Sequence, residues 1–93
     1  MKREGWTFLT NHGHVLVCLA KNPDSLLRDV AARTGITERA VQQIVADLEE
    51  AGFITRLRNG RRNTYAVARE RSLRHPVESG VTVGAFLDLL CQT

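Results

Sequence analysis

Several side chains on one predicted helix have the chemistry that reads the edges of base pairs. Residues 37–51 predict a helix with an apolar face made of Val41, Ile44, Val45 and Leu48. Its opposite face carries Arg39, Gln43, Ala46 and Glu50, with Gln42 and Asp47 at the edges. Arginine can bond guanine, glutamine can bond adenine, and a small alanine lets the backbone come close. We therefore interpret Arg39, Gln42 and Gln43 as candidate base contacts, although a solvated helix surface would use glutamine as well.

This helix is the second half of a predicted helix-turn-helix at residues 27–52. Thr37 suits an N-cap, and Gly52 suits the left-handed residue that closes a helix. A shorter helix begins at residue 27, ends at a sharp turn at Gly35, and has its own apolar set to pack across the longer one. That set consists of Leu27, Val30 and Ala31. Asp24 or Ser25 can cap the shorter helix, or residues 25–26 can form a brief strand before it.

Arginine is concentrated in the segment that follows. Residues 56–74 contain seven arginines and one glutamate, whereas acidic side chains outnumber basic ones in the rest of the chain. A one-signed basic patch favours a polyanion partner on one face.

Within this segment, β-prone residues 53–58 and 64–67 flank Asn59-Gly60, a strong signal for a β-hairpin turn. The pattern predicts a wing at residues 53–68 whose tip presents basic and polar side chains to a minor groove or to phosphates. They are Arg58, Asn59, Arg61 and Arg62. The alternative is an exposed hairpin whose charges block edge pairing, but that would use lysine and glutamate as readily as arginine.

The flanking segments complete a mainly helical α+β domain over residues 1–93. A first helix is predicted from Thr10 to about residue 22, after an arm at residues 1–6 that Trp6 anchors. Residues 69–80 predict a connector broken by Pro76 and Gly80. Thr82 can cap a last helix within residues 81–92. Its apolar face, predicted to form a dimer interface because so short a helix is unstable alone, consists of Val83, Phe86, Leu87 and Leu90.

Composition argues against several classes of protein. The chain has 93 residues, of which 43% are apolar and 25% are charged, as expected for one small soluble domain. No apolar run approaches the ~20 residues that span a bilayer, and the N-terminus lacks a signal-peptide core, so we expect a cytoplasmic protein without membrane contact. Cys18, Cys91, His12 and His14 show no metal-binding spacing. No catalytic set appears, so we expect neither a cofactor nor enzymatic activity. Redox roles of the cysteines stay open.

The order of helix, helix-turn-helix, two-stranded wing and last helix resembles the winged helix-turn-helix regulators of the MarR family. The matching residues are LRDVAARTGITERAVQQIVADLEEAGFI at 27–54 and LRNGRRNTYAV at 57–67. The chain looks most similar to small members of actinobacterial type. The resemblance implies a homodimeric transcriptional regulator that binds near-palindromic double-stranded DNA, with any small-molecule effector unknown. By this resemblance the DNA contacts are Thr37, Arg39, Gln42 and Gln43 in the major groove and Arg58, Arg61 and Arg62 at the wing.

The chain departs from the family pattern at the wing, and two other functions stay open. Asn59-Gly60 stands where the family usually has an acidic residue before the wing arginines, which removes an ion pair expected to steady the wing. A winged-helix adaptor that binds protein instead of DNA would need an apolar patch where Arg39 and Gln43 stand. Binding to RNA or to a left-handed duplex is the other rival, with Tyr65 as the one aromatic residue of the wing.

Overall fold

Three helices enclose the core in the computed structural model, which describes residues 5–91. They are α1 (Asn11–Lys21), α2 (Leu27–Thr34) and α3 (Glu38–Glu50). The four apolar positions predicted for α3 are all buried. The buried residues of α1 are Val15, Leu16, Cys18 and Leu19. These elements confirm a winged helix-turn-helix with a three-helix core. Residues 1–4 of the predicted arm and residue 92 of the predicted last segment lie outside the described residues.

The ends of α3 are set by local chemistry. The hydroxyl oxygen of Thr37 accepts a hydrogen bond from the Ala40 N–H at 3.0 Å, so the predicted N-cap is confirmed. Gly52 follows the helix with φ of 83° and Gly35 follows α2 with φ of 79°. Both angles lie in the left-handed region that favours glycine, which explains why the helix-turn-helix bends and ends at these residues.

The segment before α2 is neither a strand nor a side-chain cap. The N-cap position is Leu26, and its side chain makes no capping hydrogen bond. The Ser25 hydroxyl donates to a carbonyl of its own turn at 2.8 Å, and the Tyr65 N–H donates to the Pro23 carbonyl at 3.0 Å. The predicted cap by Asp24 or Ser25 and the predicted strand at 25–26 are therefore wrong, because these groups are bonded within the turn and to the wing.

Two antiparallel strands, β1 (Ile54–Asn59) and β2 (Arg62–Val67), form the wing. Asn59 pairs with Arg62, so the two-residue turn is Gly60-Arg61, one residue later than predicted. Glycine at the first turn position has φ of 66°. This placement suits a type II′ turn, which needs glycine first and matches the strand twist.

The last helix, α4 (Val83–Leu90), packs against its own protomer. The Thr82 hydroxyl accepts the Ala85 N–H at 3.1 Å, which confirms the predicted cap. Val83 and Leu87 are buried and belong to the same core as α1 and α3. The connector before this helix contains one 3-10 turn, Pro76–Glu78.

Trp6 does not anchor the N-terminal arm. Its side chain is 72% exposed and contacts Phe8 edge to face, with ring centroids 5.5 Å apart, while Phe8 is itself 94% exposed. Leu9, which lies against Gly13 of α1, is the half-buried residue of this segment. The two aromatic side chains therefore lie outside the core.

Candidate nucleic-acid interface

An open groove of about 400 Å³ lies where α3, the wing and the start of α2 meet. Gln42 lines it from α3, and Arg56, Arg61 and Arg62 line it from the wing. The structure thus brings Gln42 and two predicted wing contacts onto one concave surface. Arg56 also lines this groove, although it was not among the predicted contacts. Its two-residue spacing from Arg58 along β1 could have indicated it, because alternate residues of a strand lie on the same face.

The outward face of α3 is polar and accessible. Arg39, Gln42, Gln43 and Ala46 are all exposed, as the helical periodicity predicts. Thr37 is exposed at the start of the helix, where its hydroxyl is already used as the cap. An accessible helix with this chemistry has the properties needed to enter a major groove.

Gln43 is held by a hydrogen-bond network that joins α3 to α1. Its Nε2 donates to Asp47 Oδ1 at 3.1 Å, and His12 Nε2 donates to Asp47 Oδ2 at 2.8 Å. The hydrogen bond from His12, followed by that from Gln43, holds the pKa of Asp47 below its ordinary value. The i, i+4 spacing of Gln43 and Asp47 signals their contact, but nothing in the local sequence predicts that His12 joins them.

The wing is fastened to the turn that precedes α2. Arg62 Nη2 donates to the Asp24 carbonyl at 3.0 Å. The Thr64 hydroxyl and the Tyr65 N–H both donate to the Pro23 carbonyl, at 3.3 Å and 3.0 Å. These bonds hold the wing beside the turn that precedes the helix-turn-helix.

A second fastening joins the wing to the end of α3. Arg56 Nη2 lies 3.3 Å from Glu49 Oε1, and its guanidinium lies 5.9 Å from the centroid of the Tyr65 ring. An exposed ion pair of this kind contributes only ~0–1 kcal/mol to stability. The pair therefore adds little to stability, and the main contribution of Arg56 is a guanidinium group on the groove, next to the Glu49 carboxylate.

Two of the seven arginines of residues 56–74 join elements of the fold. Arg71 Nη2 donates to the Ala51 carbonyl at 2.7 Å, and its guanidinium lies 5.3 Å from the centroid of the Phe53 ring. Arg69 Nη2 donates to Asp88 Oδ1 of α4 at 2.7 Å. Because these two side chains bind the connector to α3 and α4, we assign the positive charge of the candidate interface to the four wing arginines and to Arg39 of α3.

The side chains at the tip of the wing differ in whether they are hydrogen-bonded within the chain. Arg58 Nε donates to the Gly60 carbonyl at 2.9 Å, which folds this side chain onto the turn. Asn59 borders a small cavity of about 260 Å³ next to Asp24. Arg61 forms no hydrogen bond or ion pair with any residue between 5 and 91, so its guanidinium is available to a ligand.

Comparisons with known proteins agree with this architecture. The family model described as the MarR family matches residues 7–62, which is more than half of the chain. The chain belongs to the MarR family. A solved structure of T. potens IscR has the same fold, with a TM-score of 0.61 and 20% sequence identity. The match covers 92% of this MarR-family chain and 89% of the IscR chain. No curated protein sequence matches the chain. Family and fold indicate a DNA-binding transcription regulator.

The face predicted to form a dimer interface in this MarR-family protein is divided by the fold. Val83 and Leu87 are buried within the protomer and present no surface to a second copy. Phe86 is half-buried, whereas Leu90 is 39% exposed and Leu89, which was not in the predicted set, is 74% exposed. Three of the four predicted residues pack on the core, so the periodicity identified the inward side of the helix, and that side packs on the chain's own core.

Within residues 5–91, no three His, Cys, Asp or Glu side chains lie close enough together to hold a metal ion. No helix in the same range combines the length and apolar character needed to cross a membrane.

Proposed function

We propose that this MarR-family chain binds specific sequences of double-stranded DNA as a homodimeric transcriptional regulator. In this proposal residues 37–51 enter the major groove, and the wing lies in the minor groove or along the backbone. The observation that carries the proposal is the groove that Gln42 shares with Arg61 and Arg62. A base-reading amide and phosphate-binding guanidinium groups are thereby presented to one ligand surface.

The proposed reading surface is the N-terminal half of α3. Arg39, Gln42 and Gln43 supply donors and acceptors for base edges. Glu49 and Glu50 lie at the other end of the helix, whereas Glu38 lies in its first turn. Phosphates are favoured near the helix N-terminus because the backbone dipole is positive there and because Arg39 adds a positive charge beside Glu38.

The proposed role of the wing is to hold the DNA backbone. Within residues 5–91, the guanidinium of Arg61 has no partner, and Arg62 is positioned by its hydrogen bond to the Asp24 carbonyl at 3.0 Å. Arg58 and Asn59 flank the same turn. Contacts of this kind position a protein on a duplex and make binding dependent on salt concentration.

We further propose that two copies associate through apolar side chains near the end of α4. One winged module buries only ~600–1,000 Å² of its surface on DNA, which seldom suffices for operator specificity. Leu89 and Leu90 are exposed, and Leu90 borders a cavity of about 480 Å³ together with Thr7 and Leu9. A two-fold dimer would place the two reading helices about one helical turn of DNA apart.

The adaptor alternative has less support. A helix that docks on protein uses large apolar side chains, whereas the exposed face of α3 carries Arg39, Gln42, Gln43 and Glu50. We therefore keep duplex DNA as the proposed partner.

Selection of genomic DNA fragments on the purified protein tests the proposal. We expect an enriched sequence with two related half-sites about 10 base pairs apart. Binding to that sequence should weaken steeply with salt, with a log–log slope of about 0.9 for each phosphate neutralised. Recovery of random fragments, or a flat salt dependence, would count against sequence-specific duplex binding.

Sedimentation at micromolar concentration tests the dimer separately. Leu89→Asp should shift the protein to monomer mass, because it places a charge in the proposed contact. Val77→Asp is the matched control, since Val77 is also an exposed apolar residue but lies on the 3-10 turn of the connector. A wild-type protein of monomer mass that binds a palindromic site tightly would refute the dimer.

A further inference from the structure

We infer that His12 and Asp47 are positioning residues that hold the side-chain amide of Gln43 in one orientation and thereby set the base preference at one position of the DNA site. The inference rests on the proposed DNA-reading role of α3. It adds a residue of α1, outside the helix-turn-helix, to the determinants of specificity.

The geometry of the network supports this role. Asp47 uses one carboxylate oxygen for each partner: Oδ2 lies 2.8 Å from His12 Nε2, and Oδ1 lies 3.1 Å from Gln43 Nε2. The side chain of His12 is 50% exposed, that of Asp47 is 44% exposed, and Gln43 is exposed. A chain of hydrogen bonds at the edge of a reading face can restrict a long side chain before DNA arrives.

The chemistry of the carboxylate fixes the orientation of the amide. An ionised carboxylate only accepts hydrogen bonds, and the pKa of Asp47 is held below its ordinary value, so the group is ionised at neutral pH. Both facing atoms must therefore be donors: the protonated Nε2 of His12 and the NH₂ group of Gln43. Flipping the amide would turn the oxygen of Gln43 toward the negative charge of Asp47.

This orientation leaves the groups needed for adenine. The oxygen of Gln43 and its second N–H stay free, and they form the acceptor and donor pair that binds adenine N6 and N7. We therefore expect the network to favour an adenine at the base pair that Gln43 contacts. Without His12, Asp47 loses one restraint, and the Gln43 amide can leave this orientation more readily.

Relative affinities for the selected duplex and for a duplex changed at that one base pair give the test. Gln43→Ala should reduce the preference for the original base pair by about 5- to 150-fold. His12→Ala should reduce the preference at the same base pair by about two- to tenfold, the worth of one hydrogen bond. In the Gln43→Ala background, His12→Ala should have no further effect, because the amide that it positions is gone.

Two matched controls separate positioning from general effects. His14→Ala also removes a histidine from α1, but His14 borders a different cavity, beside Leu90, so the base preference should not change. Asp47→Asn leaves one acceptor oxygen for two donors, whereas Glu50→Gln removes an acid from the same exposed face. Both should bind all duplexes more tightly, and only Asp47→Asn should reduce the preference.

A readout on the free protein does not depend on DNA. The side-chain NH₂ resonances of Gln43, assigned by their loss in Gln43→Ala, should shift in His12→Ala and stay in place in His14→Ala. Unchanged resonances in His12→Ala would overturn the inference, and so would a His12→Ala effect that is equal at all base pairs or that persists in the Gln43→Ala background.

The outcomes also distinguish this inference from the proposed function. If the wild-type protein binds every duplex equally, the proposed function fails and the inference fails with it. If the wild-type protein is selective and Gln43→Ala changes its preference but His12→Ala does not, the positioning role alone is refuted.

Discussion

Replacing Arg71 by alanine should destabilise the fold while leaving the proposed DNA-binding surface intact. The guanidinium donates to the Ala51 carbonyl at 2.7 Å and lies 5.3 Å from the centroid of the Phe53 ring. A hydrogen bond from a charged group contributes about 1.5–3 kcal/mol, and an exposed cation–π contact contributes about 0.5–1 kcal/mol. Because Arg71 is exposed, the lower values apply, and the free energy of unfolding should fall by about 2 kcal/mol. For a domain of this size, that lowers Tm by about 8–16 °C.

Urea denaturation and DNA titration over a range of salt concentrations, done on Arg71→Ala and Arg61→Ala in parallel, test this expectation. Arg61→Ala should keep the wild-type unfolding midpoint, because Arg61 has no hydrogen bond or ion pair within the described part of the chain. It should instead lower the slope of the salt dependence by about 0.9, the value for one phosphate. The reasoning is refuted if Arg71→Ala unfolds at the wild-type urea concentration and loses the same salt slope as Arg61→Ala.

Three further predictions concern stability and ionisation. Leu87→Ala should lower the free energy of unfolding by about 2–5 kcal/mol in urea denaturation, because the side chain is 1% exposed; a wild-type midpoint would place α4 outside the core. Thr37→Ala should cost about 1 kcal/mol, since the hydroxyl caps the Ala40 N–H, and thermal unfolding would show it. His12→Ala should raise the pKa of Asp47 toward 3.8, its ordinary value, in an NMR titration of the carboxyl carbon. Because the folded pKa is depressed, this interaction stabilises the fold at neutral pH and is lost as pH falls through the folded pKa; identical acid-denaturation curves for the two proteins would contradict it.

Features encoded by neighbouring residues were predictable from the sequence. Thr37 and Thr82 cap helices through bonds that reach only three residues along the chain. Gly35 and Gly52 occupy left-handed conformations at the helix ends where the pattern required them. The apolar period of α3 identified its buried face because polar residues fill the other side.

Contacts between distant residues were not predictable in this way. His12 and Asp47 are separated by 35 positions, and no local pattern selects one surface histidine as the partner of one surface acid. The same holds for Arg71, whose charge looked like part of a ligand-binding patch until the fold showed it bound to the end of α3. Counting charge along a chain therefore does not show which arginines are also bonded within the fold.

The face of α4 illustrates a different limit. The period of 3.6 residues selected Val83, Phe86 and Leu87, and these side chains do face inward. The sequence did not show that they pack on the core of the same chain instead of on a second copy. Leu89 lies off that face and is 74% exposed, so the proposed dimer contact moves to the exposed leucines.

The most direct test of the account compares affinities for the selected duplex and for random DNA in two variants. Gln43→Ala should lower the ratio of specific to non-specific affinity by about 5- to 150-fold, because we propose that the amide reads a base. Arg61→Ala should weaken both affinities together and keep that ratio, because the proposed contact of its guanidinium with phosphate or the minor groove does not select a sequence. Equal losses on both kinds of DNA for Gln43→Ala would contradict the claim that α3 is the reading helix.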